Sequence, residues 1–127
     1  MSKNLDAELN RLGFDIVNSS QGNKEILRFI DKALGVLSND GVYAYYVFCL
    51  SKDKKDDKKY SEIFIKKPME SLKPFLQSKY NEIDNEETFF QELSKDIYEL
   101  LFFKESLEKA LIYARYHAKA VNGDENE

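Results

Sequence analysis

Apolar residues recur along this chain at intervals of three and four from one end almost to the other, the spacing of a helix that buries one face. Leu5, Leu9, Leu12 and Ile16 alternate with Asp6, Glu8, Arg11 and Asp15 and predict a first amphipathic helix. The turn formers from Asn18 to Asn23 end it. Gly13 sits inside that helix and weakens it by about 1 kcal/mol relative to alanine. It marks either a close helix contact or simple tolerance. A second helix, about Lys24 to Leu37, is expected to bury Ile26, Leu27, Ile30, Leu34 and Leu37. Ser38-Asn39-Asp40-Gly41 then turns the chain, with Asn39 or Asp40 placed to cap the next helix.

From Val42 to Leu50 no residue is charged, and Val42, Tyr45, Tyr46, Cys49 and Leu50 fall at helical spacing. Val, Tyr and Phe also favour strands, but the spacing favours helix. A helix apolar on every side is buried by its neighbours, so this one is expected to be the element round which the rest packs. Tyr60, Ile63, Phe64 and Lys67 predict a short amphipathic helix, after which Pro68 and Pro74 interrupt regular structure; Pro68 can also open a helix. Phe75, Leu76 and Tyr80 form another short apolar face, and Asp84 to Glu87 has the spacing of a capping box. The final stripe is Phe89, Phe90, Leu93, Ile97, Leu100 and Leu101, continued by Leu107, Leu111, Ala114, Ala118 and Val121. It is either one long helix or two with a break near Phe102-Phe103. The expectation is a single all-α domain, a compact bundle of five or six helices over residues 1–121. An acidic disordered tail follows at 122–127.

Composition narrows the function more by exclusion than by signal. One histidine and one cysteine leave no zinc set and no nucleophile-base pairing, and the five glycines form no phosphate loop. Asp53, Asp56 and Asp57 lie close enough in sequence to hold Mg²⁺, but neighbouring lysines make mutual charge compensation the better reading. His117 is expected at the surface or rim. No enzyme activity and no cofactor are expected. Cys49 falls in an apolar helix and fits a reducing cytoplasm, and no segment is apolar for long enough to cross a membrane.

Two features rise above this background. From Lys52 to Lys79 there are nine lysines against five acids, although the whole chain carries a net charge of −4. Such lysines can neutralise phosphates without reading sequence; a solvated loop of mixed charge is the plainer alternative. On the last helix, Lys109, Ile112, Tyr113, Arg115, Tyr116 and Lys119 fall outside the core stripe. They suit a nucleic-acid backbone or a protein partner, unless Ile112, Tyr113 and Tyr116 cover a neighbouring helix.

The helix, glycine turn, apolar helix and Leu50-Ser51-Lys52 ending between Ile30 and Lys52 resemble the small subunit of type III-B CRISPR effector (Cmr) complexes. Glu105-Ser106-Leu107 followed by Arg115-Tyr116-His117-Ala118 is similar to that family's closing helix, with Tyr113 where the family often carries tryptophan. The resemblance implies a non-catalytic helical subunit. Copies of it would stack along a ribonucleoprotein and support the groove in which target RNA pairs with CRISPR RNA. Its partners would be the other subunits of the complex, neighbouring copies of itself and the two RNAs. It carries over Lys52 and Arg115 as RNA-binding positions; charge alone adds Lys54, Lys55, Lys58, Lys59 and Lys119. The alternative, motivated by the acidic balance and the aromatic side chains, is a helical protein–protein adaptor or inhibitor with no nucleic-acid role.

Overall fold

Asn4 begins the first helix by accepting a hydrogen bond from the Ala7 amide at 3.0 Å, which satisfies one of the N–H groups that a helix start leaves free. The computed structural model describes residues 4–121, so the expected tail at 122–127 lies outside them. The elements are α1 (Leu5–Ser19), α2 (Lys24–Asp40), α3 (Val42–Leu50), α4 (Lys59–Ser61), a π-helical turn (Glu62–Lys66), α5 (Lys67–Leu72), α6 (Glu86–Ser94) and α7 (Ile97–Val121), with two short 3₁₀ turns between α5 and α6. Since α4, the π turn and α5 run on without a break, the described residues form an all-α bundle of six helices. They contain no strand.

The bundle is organised round α7 rather than α3. The 25-residue α7 packs against α1, α2, α3, α5 and α6, and it buries Phe103, Ser106, Leu107, Ala110, Leu111 and Ala114. In α3 only Val42, Tyr45, Tyr46 and Cys49 are buried; Tyr43, Val47 and Leu50 form an outer row, with Val47 49% exposed. A short helix at the side of a bundle has neighbours on only part of its circumference, whatever its sequence.

Aromatic packing fixes the far side of the core. Phe89, Phe90 and Phe103 meet edge to face, and Tyr46 stacks on Phe90 with ring centroids 4.6 Å apart. Burial, with Glu87 beside it, pushes the Tyr46 phenol up to about 12, and burial raises the Cys49 thiol well above its usual range. Cys49 is therefore a packing residue that stays protonated.

Several boundaries differ from the sequence expectation. Helix α2 runs through Ser38, Asn39 and Asp40, and the turn is Gly41 alone, with φ of 96°. Asn39 and Asp40 therefore do not cap α3, which has no side-chain cap. The α6 cap is Asn85, accepting from the Thr88 amide, one residue later than a capping box opened by Asp84. The break in the last stripe falls at Lys95-Asp96, not at Phe102-Phe103, because Asp96 accepts hydrogen bonds from the amides of Tyr98 and Glu99 and starts α7 there. Ile97 and Leu101 are exposed, Val121 also, and Leu34 and Leu100 only half-buried.

Pro68 does not stop the helix. Its missing N–H would have bonded the Phe64 carbonyl four residues earlier. In its place the fully buried Tyr45 hydroxyl donates to that carbonyl at 2.7 Å. The turn just before widens, with the Lys67 amide bonded to the Glu62 carbonyl five residues back. Tyr45→Phe is therefore expected to destabilise the fold by about 1–3 kcal/mol by stranding a buried carbonyl. The loss should shrink in Tyr45→Phe/Pro68→Ala, where an amide is restored. Additive losses in urea unfolding would break the link between these two residues.

Candidate nucleic-acid interface

The lysine-rich segment after α3 is a closed loop with most of its charges in solvent. Lys54 and Asp57 exchange backbone hydrogen bonds at 2.8 and 3.1 Å, folding the loop back on itself. Asp53 accepts from the Ser61 amide at 3.0 Å and Asp57 from the Lys59 amide at 3.1 Å, so both carboxylates are committed to the loop and to the start of α4. The compensation expected from the sequence takes place largely without direct contact: among the described residues Lys59 alone reaches a loop acid, Asp57, at 3.8 Å. Among the described residues Lys52, Lys54, Lys55 and Lys58 have no ion pair, and all four are exposed. Lys52 lies over the Phe48 ring, 5.4 Å from its centroid.

Two hollows relate the loop to the α1–α2 turn. Lys55, Lys58, Lys59 and, from α5, Lys67 line a groove of about 600 Å³ against Ser19, Ser20 and Gln21, with Asp56, Asp57 and Glu62 on its wall as well. Lys52, Lys54 and Lys59 line a smaller cleft against Glu25 and Ile26 at the start of α2. The same turn also receives the end of α7: Gln21 and Gly22 border a hollow with Phe14, His117 and Ala120. The charged loop, the first turns of α2 and the last turns of α7 thus share one end of the bundle.

On the closing helix the candidate side chains divide by role. Lys109 (3.0 Å) and the Tyr113 hydroxyl (2.9 Å) both reach Asp6, tying α7 to α1 and holding the Asp6 carboxyl below its usual range. Tyr113 thus covers a neighbouring helix. Ile112 and Tyr116 do not; Tyr116 is 62% exposed. Arg115 lies 3.7 Å from Asp31 of α2, a long and half-exposed pair, and Lys119 is exposed with no ion pair among the described residues. His117 lies at the rim, against Asn10 at 2.9 Å and edge-on to Phe14.

All seven sequence-predicted positions therefore lie at one end, but in two sets. Lys52 to Lys59 lie on the loop side of α2, and Arg115 and Lys119 on its α7 side. Sequence reasoning left out Lys67 and Arg28; the readable sign of Arg28 was the four-residue spacing of Lys24, Arg28 and Lys32 along α2. Asp53, Asp56 and Asp57 do not converge, and among the described residues no group of three or more ligating side chains gathers to hold a metal. No helix of the described residues is long and apolar enough to cross a membrane. Comparison with protein-family models, with curated proteins and with solved structures returns no match to this chain.

Proposed function

We propose that this protein is a non-catalytic small subunit of a type III-B CRISPR ribonucleoprotein, acting in the cytoplasm in antiviral defence. It supports guide and target RNA through the basic end of its bundle. The observation that carries the reading is the arrangement of the loop: Asp53 and Asp57 accept backbone amides, while Lys52, Lys54, Lys55 and Lys58 stand in solvent with no ion pair among the described residues. Ammonium groups without internal partners lose little on meeting phosphate, and the counterions they release favour binding. The acidic remainder of the surface faces protein neighbours in this reading, both other subunits and further copies of the chain.

The resemblance of Ile30 to Lys52 and of Glu105 to Ala118 supplies the particular complex. A test is equilibrium binding of a labelled single-stranded RNA at rising salt. Weak binding is expected, falling with salt by a log–log slope of about −0.7 for each phosphate neutralised. A protein with no affinity at low salt contradicts the reading.

A second reading, a helical adaptor or inhibitor without RNA, is favoured by the exposed rows Tyr43, Val47 and Leu50 on α3 and Ile97, Tyr98 and Leu101 on α7. It predicts a protein partner and indifference to RNA.

A further inference from the structure

The two sets of cations are separated by α2, and Arg28 stands between them. Glu25 of α2 borders the cleft with Lys52, Lys54 and Lys59, while Asp31 reaches Arg115 of α7. Arg28 is three residues from each. At about 100° per residue, three residues carry a side chain about 60° short of a full turn, so Arg28 leaves α2 midway between the two flanks. It is exposed and has no ion pair among the described residues. Lys32, one turn further along, is exposed as well.

Helices α2 and α7 run antiparallel here, since Asp31 meets Arg115 and Ser38 donates to Glu108 at 2.7 Å. Arg28 and Lys119 therefore lie in the same direction from the Asp31–Arg115 pair, one towards the start of α2 and the other towards the end of α7. Beside Lys119 on the outer side of α7, at intervals of four and three, stand Ile112 and Tyr116, 37% and 62% exposed.

We propose that this face is a track for single-stranded RNA. The strand runs from the loop lysines across α2 to the closing helix, with Arg28 holding a phosphate at the crossing and Tyr116 stacking on a base beyond it. The proposal rests on the RNA-binding reading above and adds to it the route, the strandedness and two residues. Packed helices lie about 8–10 Å apart, so the route covers about 20 Å, a short run of nucleotides. Cations without an aromatic platform would serve duplex and single strand alike. A phenol ring with one open face favours bases that are not already stacked in a duplex. Glu25, Asp57 and Asp31 are opposing charges on this path, and by engaging Arg115 Asp31 restrains one of the cations.

The test is fluorescence anisotropy of a labelled oligouridylate with the full chain, between about 50 and 200 mM salt. Arg28→Ala is expected to weaken binding about fivefold and to make the salt slope shallower by about 0.7. Tyr116→Ala is expected to weaken it about tenfold with the slope unchanged, and Tyr116→Phe to bind as the parent does. Asp31→Asn is expected to tighten binding. Arg28, Tyr116 and Asp31 are exposed, and unchanged thermal unfolding of each variant should confirm that the fold is intact. If Arg28→Ala and Tyr116→Ala bind normally while loop-lysine variants do not, the track is overturned and the RNA-binding reading stands. If the parent chain binds no RNA at the lowest salt, both fall. Equal competition by polyglutamate would overturn the track in favour of an acidic protein partner.

Discussion

Replacing Gly13 with alanine is expected to destabilise the protein by about 1–3 kcal/mol, the range for overpacking a filled core, although the same change in an open helix stabilises by about 1 kcal/mol. A Cβ built at Gly13 falls 2.8 Å from the Ala114 nitrogen, 2.8 Å from Tyr113 Cβ and 2.9 Å from the Ala110 carbonyl oxygen. Two of these are backbone atoms, so no side chain can swing aside; α1 and α7 must move apart. That shift would loosen Leu9, Leu12 and Ile16 against Leu107, Ala110 and Ala114, the central seam of the bundle. It would also strain the clasp of Asp6 with Lys109 and Tyr113. Gly35→Ala is the control, because nothing lies within 4 Å of a Cβ at that position of α2. It should raise stability by about 0.5–1 kcal/mol. Thermal unfolding of the two variants should therefore move in opposite directions, with Gly13→Ala lower by about 5–10 °C. A Gly13→Ala protein as stable as its parent would contradict the close seam.

Reversing Lys54, Lys55, Lys58 and Lys59 to glutamate is expected to remove RNA binding almost wholly. Four phosphate contacts correspond to a salt slope of about −2.8, and turning them into repulsions should lower affinity more than about a hundredfold at low salt. The fold should hardly notice. All four side chains are exposed, and the one ion pair they make among the described residues, Lys59 with Asp57 at 3.8 Å, belongs to the class of surface pairs worth about 0–1 kcal/mol. Loss of binding with unfolding little changed is the expected combination. RNA held as tightly by the variant, whether free or in a complex, would show that the assigned face is wrong.

Helices α1, α2 and α3 were legible from periodicity because each has one buried face and a polar stretch or glycine after it. The errors came where two local signals competed. Ile97 and Leu101 continue the apolar spacing of α6, so the stripe read as running through Ser94 to Asp96, with any break placed near Phe102-Phe103. The polar triplet Ser94-Lys95-Asp96 marked the true boundary, since an aspartate there can hold the first free amides of α7. Pro68 read either as a break or as the opening of a short helix. It does lie in the first turn of α5, but that the chain runs into it without a break depends on the Tyr45 hydroxyl of another helix. Gly13 was ambiguous for the same reason: its role lies in α7, and no pattern within α1 points there.

The candidate interface shows the same limit. Counting residues between Lys52 and Lys79 revealed the lysines but not which carboxylates the backbone had already taken. Asp53 and Asp57 keep their charges, but that they also shape the loop by accepting backbone amides could not be read from the count. Arg115 and Lys119 could be picked out individually, while their position at the same end as the loop depends on how α7 returns to the α1–α2 turn.

This chain is proposed to work as part of a complex built on RNA. Affinity purification of the tagged protein from its own cells, with sequencing of the bound RNA, tests it most directly. Short RNAs that share a repeat-derived end should be recovered together with several larger subunits. A protein partner recovered with no enriched RNA would contradict it and leave the adaptor.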